Sequence, residues 1–247
     1  MDLIWVGFLA SLLAGLATGA GALPVLFTKG VSDKLLDVLL GFSAGVMLAA
    51  TCFSLIVPSL DLGGPLIVVI GIILGALTLH LVDRFVPHFH PIAGPEGPSS
   101  HLSKVWLFAL AMTIHNFPEG LAVGVSFGSG DAAAGLVVAM AIGLQNMPEG
   151  LAVALPLVRE GYSRRKSLWY GTLTGLVEPL GGLLGLALIS VFLPILPWGL
   201  AFAAGAMLFV VSDEMIPESH RKGFEREATF GLIAGFVLMM FLDCALS

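Results

Sequence analysis

Charge is scarce in this chain. Of its 247 residues only 11% are Asp, Glu, Lys or Arg while 57% are hydrophobic, and the mean hydropathy is +0.99. A soluble domain carries about a quarter charged residues, so a water-soluble globule is excluded and an integral membrane protein is expected. Cysteine is nearly absent too. Cys52 and Cys244 sit apart inside apolar stretches, which leaves no disulfide framework, no CxxC metal site and no reading of the redox compartment. The short alternating segments of a membrane barrel are lacking. So is a basic region ahead of the first apolar run; that run is long and carries Asp2 at its start, so it reads as a retained helix rather than a signal peptide.

What the chain does have is eight apolar runs of roughly bilayer-spanning length, at about 3–27, 35–57, 64–86, 105–128, 132–158, 167–192, 197–217 and 228–246. We call these spans 1 to 8. All 11 basic residues fall in alternate loops: Lys29 and Lys34 after span 1, Arg84 and Lys104 around the loop after span 3, Arg159, Arg164, Arg165 and Lys166 after span 5, and Arg221, Lys222 and Arg226 after span 7. The other loops and both termini contain none. By the positive-inside rule both ends of the chain lie outside.

A shift of 160 residues lays the first three spans on the last three. Phe42-Ser43-Ala44-Gly45-Val46-Met47-Leu48 meets Phe202-Ala203-Ala204-Gly205-Ala206-Met207-Leu208, and Gly15, Gly21, Gly71, Gly75 and Asp83 meet Gly175, Gly181, Gly231, Gly235 and Asp243. Two spans separate the copies, so they start on opposite sides of the membrane and form an inverted repeat, a recurring transporter device with the substrate site near midplane. The expected architecture is an all-α membrane protein of eight transmembrane helices, 3+2+3. It is one polytopic domain over 1–247, with repeats at 1–87 and 161–247 and spans 4 and 5 at 105–158 between them. Most of the 31 glycines read as packing surfaces between membrane helices.

Spans 4 and 5 carry the same motif 30 residues apart, HNFPEG at His115 to Gly120 and QNMPEG at Gln145 to Gly150. A carboxylate in hydrocarbon is penalised by at least about 2.5 kcal/mol, and intramembrane ionisable groups face a cavity and find partners there. Glu119 and Glu149 therefore call for a cation. His115 lies 11 residues beyond Lys104, about 16 Å along a helix and so near mid-membrane. His115 and Glu119 are four apart and Asn116 and Glu119 three apart, which places them on one helix face; Gln145, Asn146 and Glu149 repeat the arrangement. Pro118 and Pro148 each remove an N–H, and the carbonyls so freed, those of Ile114 and Leu144, need another partner. Glu178, followed by Pro179 in span 6, is a third deep carboxylate, with Thr18 as its repeat mate. Carboxylates, an imidazole and amide oxygens together suit borderline divalent ions such as zinc, iron or manganese, and also cadmium. Met47 adds a thioether to this set or merely packs. The amides serve equally as hydrogen-bond links between helices, and Glu178 as a protonated carboxyl bonded between them.

HNxPEG in span 4, the second xPEG in span 5, the Glu-Pro of span 6 and the FSAGxMLAA segment together resemble the ZIP (Zrt-, Irt-like) family of divalent metal transporters, most closely its bacterial GufA-like branch. The likeness runs through the whole chain. It implies a two-metal site bridged by Glu119 and Glu149, one position completed by Met47, His115 and Gln145 and the other by Asn116, Asn146 and Glu178. An aspartate often stands in this branch where Asn146 stands here, and losing that charge weakens the second position.

Routes to and from the site are legible as well. Asp83, His88 and His90 lie where span 3 meets the cytoplasm, ahead of a Gly, Pro and Ser stretch and His101; they collect departing metal or are an ordinary solvated loop. The resemblance implies a histidine-rich loop here. Asp213, Glu214, Glu218 and His220 make an acidic exit funnel, with Glu214 and Glu218 on one helical face and Asp213 standing where the family often has histidine. Asp61 and Asp243, with Asp2 and Asp131, make the outer face attractive to cations, and Ser54, the repeat mate of Glu214, lines the entrance.

The expected function is inward movement of a divalent transition metal, zinc first and otherwise Fe2+, Mn2+, Cd2+ or Co2+, by alternating access across a bacterial cytoplasmic (inner) membrane. Zinc is cargo at one or two sites, with no catalytic cofactor. Divalent metal ions and the lipid bilayer are the partners, a homodimer is an option, and nucleic acid is not expected. Two other readings stay open. A metal-gated channel would use the same residues. An intramembrane zinc hydrolase needs three fixed ligands, an open water position and a general base, for which HExxH is the usual form; this chain has HNFPE instead.

Overall fold

The computed structural model describes residues 3–28, 30–90 and 94–246; Asp2 and Lys29, named above for their charge, lie outside the described residues. The chain is built of α1 (Leu3–Ala22), α2 (Asp33–Ala49), α3 (Val57–Phe85), α4 (Lys104–Gly128), α5 (Ala132–Arg159), α6 (Arg164–Gly175), α7 (Glu178–Val191), α8 (Leu196–Val210), α9 (Ile216–Ser219) and α10 (Glu225–Leu246). Among the described residues six helical runs, Ile4–Leu26, Asp33–Phe85, Ala132–Arg159, Arg164–Val191, Leu193–Ser219 and Glu225–Leu246, are long and apolar enough to cross a membrane. The helix α4 is 25 residues long, about 37 Å.

Local chemistry sets the helix ends. The Asp131 carboxylate accepts from the N–H groups of Ala133 and Ala134 at 2.9 and 3.1 Å, capping α5, and Ser32 caps α2 by accepting from Leu35 N–H at 3.2 Å. Between α2 and α3 the backbone stays helical through a π turn at Ala50–Ile56 and breaks only at Gly64, with φ 71° and ψ 174°, just before Pro65. A side chain at Gly64 would be strained there. So the loop expected after span 2 is a single kink. A second π turn, Val211–Met215, joins α8 to α9.

Span 6, read as one helix, is two. It breaks at Leu176–Val177, and α7 restarts with Glu178 in its first turn and Pro179 beside it, where a missing N–H costs little. By contrast α4 and α5 run on through Pro118 and Pro148. The stretch after α3, read as a loop, contains a small antiparallel hairpin, β1 (His88–His90) against β2 (Gly94–Glu96), with His88 opposite Glu96. It is too short for any periodicity to show in the sequence.

Glycines bring the helices together, and their contacts recur at fixed offsets. A Cβ on Gly75 would lie 2.0 Å from the Phe202 carbonyl oxygen, and one on Gly235 would lie 2.1 Å from that of Phe42. Likewise Gly45 meets the Leu232 oxygen at 1.9 Å and Gly205 that of Ile72 at 2.1 Å. In each pair both partners are 160 residues apart. Around the middle helices, Gly120 would meet the Glu178 oxygen at 2.0 Å and Gly150 the Thr18 oxygen at 1.8 Å. Gly15 and Gly175 press on each other's carbonyls, each at 2.3 Å. These close approaches pair α3 with α8, α2 with α10, α4 with α7, and α1 with both α5 and α6.

Candidate metal site

The motifs of α4 and α5 meet α7 in the centre of the protein. His115, Asn116, Glu119, Gln145, Asn146, Glu149, Glu178 and Met47 are all 2% exposed or less. Because α4 presses Gly120 onto the Glu178 carbonyl and α5 presses Gly150 onto that of Thr18, the Glu side chains one residue earlier are carried to the same level. The Glu119, Glu149 and Glu178 carboxyls lie within electrostatic reach of one another, and His115 within reach of Glu149.

Hydrogen bonds orient most of these side chains. Gln145 Nε2 donates to Glu119 Oε1 at 2.7 Å, Asn146 Nδ2 to Glu178 Oε1 at 2.6 Å and to the Ala14 carbonyl at 2.8 Å, and Ser43 Oγ to Glu149 Oε1 at 2.6 Å. His115 Nε2 donates to Glu214 Oε1 at 2.5 Å. These bonds leave the other donor atoms over. Buried and without a hydrogen-bond partner among the described residues are His115 Nδ1, Asn116 Oδ1 and Nδ2, Glu119 Oε2, Gln145 Oε1, Asn146 Oδ1 and Glu178 Oε2. One such orphan costs about 1–3 kcal/mol, more when charged, so six side chains leaving lone pairs unmatched in one place is a large penalty unless a cation is the intended partner.

Ser43 was missed in the sequence. Serine in a membrane helix usually bonds its own backbone, and nothing local shows that Ser43 reaches across 106 residues to Glu149. Met47 lies one turn beyond it on α2 and is fully buried.

Of the residues read as lining the outer entrance, Ser54, Asp61 and Asp243 share with Asp131 a cavity of about 480 Å³, and Ser54 Oγ donates to Asp243 Oδ1. On the opposite side Asp83, His88 and Glu214 are buried with one ligand atom each, all within 4.8 Å of one another. His88 Nδ1 donates to the Val86 carbonyl at 3.0 Å, and its Nε2 stands 3.8 Å from Glu96. Asp213 lines a neighbouring cavity of about 330 Å³ with Asp83. The side chain of His90 lies outside the described residues.

The four-membered funnel divides. Glu214 turns to His115 and the inner cluster, whereas Glu218 accepts from Arg221 at 2.8 Å and sits 3.5 Å from Lys222. His220 folds back, donating through Nδ1 to the Ile216 carbonyl at 2.8 Å. The π turn at Val211–Met215 breaks the i, i+4 register on which the shared face rested.

Buried acid, amide and imidazole side chains thus converge from α4, α5 and α7 within an all-helical bundle that has several membrane-length apolar runs. A family model described as ZIP Zinc transporter matches residues 96–243. Across 97% of the chain and 98% of the relative, the sequence is 51% identical to a protein called Zinc transporter GufA from Myxococcus xanthus. It is 47% identical to Zinc transporter ZIPB of Bordetella bronchiseptica over 93% of the chain and 78% of that protein, and 36% identical to human Zinc transporter ZIP11 over 94% of each. The chain belongs to the ZIP zinc transporter family, and it is an all-α integral membrane protein.

Proposed function

We propose that this protein carries a divalent transition-metal ion, zinc foremost, from outside into the cytoplasm through the Glu119/Glu149 site. The observation that carries this reading is the set of unmatched buried donor atoms on His115, Asn116, Glu119, Gln145, Asn146 and Glu178, whose mixture suits a borderline divalent ion. The names of the relatives point the same way and away from an enzyme. We read eight crossings, dividing Asp33–Phe85 at Gly64 and adding α4 to the membrane-length runs, with both termini outside in a bacterial cytoplasmic membrane. The confinement of all basic residues to alternate loops supports that orientation. Recurrence of the glycine contacts at 160 residues supports the inverted repeat.

In this mechanism the ion is drawn into the cavity of Asp61, Asp131 and Asp243 by their charge. It then passes to Glu119 and Glu149, where Met47, His115 and Gln145 complete one position and Asn116, Asn146 and Glu178 the other. His115, bonded to Glu214, adjoins the inner cluster of Asp83, His88 and Glu214, which takes the ion next. Alternating access moves α1 and α4–α7 against α2, α3 and α8–α10. The tight glycine contacts fall within these groups, while Ser43–Glu149 and His115–Glu214 bridge them by hydrogen bonds that can exchange. Burial of the site to 2% exposure or less favours a carrier over an open channel.

Glu119→Ala and Glu149→Ala should each abolish zinc uptake into proteoliposomes while the purified protein keeps its elution profile and helicity. Uptake at the wild-type rate in either variant would reject the site.

A further inference from the structure

Away from the mid-membrane site and the inner cluster, one buried hydroxyl stands without a match. Ser126 of α4 is 3% exposed, its Oγ has no hydrogen-bond partner among the described residues, and it belongs to the wall of the outer cavity of about 480 Å³. We propose that Ser126 is a waypoint between that cavity and Glu119, its hydroxyl oxygen taking the place of one water on a divalent ion that moves inward.

The helix sets its place. Ser126 lies seven residues beyond Glu119, two turns and about 10 Å along α4 on nearly the same face. Ala122 and Val123, three and four residues beyond Glu119, fill the level between them and are wholly buried, so an ion passes an apolar layer between the two oxygens. Several of the cavity's other polar groups already have partners. Asp131 Oδ1 accepts from the N–H groups of Ala133 and Ala134, Asp243 Oδ1 accepts from Ser54, and Ser129 Oγ donates to the Ser126 carbonyl at 2.6 Å. The Ser126 hydroxyl is left over.

An unmatched buried hydroxyl is unfavourable, and at the threshold of an apolar layer it is matched whenever an ion shedding water goes by. A neutral oxygen also suits a step of passage, where binding must be good enough to admit the ion and weak enough to release it. Magnesium, which gives up its waters reluctantly, gains least from such a contact.

This inference rests on the transport reading, and two measurements keep their failures apart. In proteoliposomes Ser126→Ala should raise the zinc concentration for half-maximal uptake about two- to tenfold, the scale of one neutral polar contact, with the maximal rate and the calorimetric affinity of the mid-membrane site held. Half-saturation as in wild type, or a fall in maximal rate alone, would overturn the waypoint. Ser126→Cys, close in size, exchanges the hydroxyl for a softer thiol. It is placed in purified protein that also carries Cys52→Ser, Cys244→Ser, Glu119→Gln and Glu149→Gln, and cadmium should then raise a sulfur-to-metal charge-transfer band in the ultraviolet. Absence of that band would count against the waypoint with equal force. Zinc uptake by Glu119→Gln/Glu149→Gln protein would instead refute the transport site, and the cadmium band would still decide on Ser126.

Discussion

Removing one oxygen atom tests the central site most sharply. Ser43→Ala deletes the hydroxyl that donates to Glu149 Oε1 at 2.6 Å and leaves α2 otherwise intact, since alanine is the better helix former and Ser43 is fully buried. A hydrogen bond to a charged acceptor contributes about 1.5–3 kcal/mol. Partners that orient a metal-binding carboxylate are worth about 10- to 100-fold in metal affinity, or about 1.4–2.8 kcal/mol, so two independent estimates agree. Calorimetric zinc titration of the purified variant should give a dissociation constant raised by that factor, with uptake in proteoliposomes needing correspondingly more zinc for half-maximal rate. Ser43→Thr, which keeps a hydroxyl, should recover part of the loss. An affinity within twofold of wild type in Ser43→Ala would show that Glu149 does not bind metal through the carboxylate that Ser43 orients.

Other substitutions follow from the same geometry. Asn146→Asp replaces a donor to Glu178 and to the Ala14 carbonyl with an acceptor, so the metal-free protein should melt lower while added zinc raises its melting temperature more than in wild type; equal zinc shifts in a thermal-melt assay would refute this. Gly75→Ala and Gly235→Ala each force a methyl against a carbonyl oxygen, at 2.0 and 2.1 Å, and should destabilise to a similar degree, about 1–3 kcal/mol; strongly unequal effects in unfolding would contradict the twofold relation. Because His88 is part of the buried inner cluster, His88→Ala should slow zinc uptake more than His101→Ala does, and equal uptake rates would remove His88 from the pathway.

Composition and spacing made much of this protein legible. Glu119, Glu149, Glu178 and His115 stand out because charge in an apolar run is costly, and the structure brings them together. What stayed hidden was long-range or subtle. The Ser43–Glu149 and His115–Glu214 bonds cross 106 and 99 residues, and no local pattern encodes either. Glu214 and Glu218 were expected on one face because the α-helical period was assumed, and the wide turn at Val211–Met215 changed it. The break before Glu178 is written in no proline ahead of it. It comes from the one that follows: Pro179 has no N–H for the Gly175 carbonyl and its ring crowds that oxygen, at a point where Gly15 and Gly120 also bring neighbouring backbones close to Gly175 and Glu178.

The wide turns at Ala50–Ile56 and Val211–Met215 have one more implication. Each stores a spare amino acid between two stretches of rod that are already seated against their neighbours. Excising one residue there would let the coil revert to its common pitch with both flanks left where they are, whereas the same excision elsewhere would swing every later side chain by about 100°. These two places are therefore where the length of the chain can drift while the packed helices on either side keep their seats, at the expense of Ser54, Asp213 and Glu214, which the turns themselves carry.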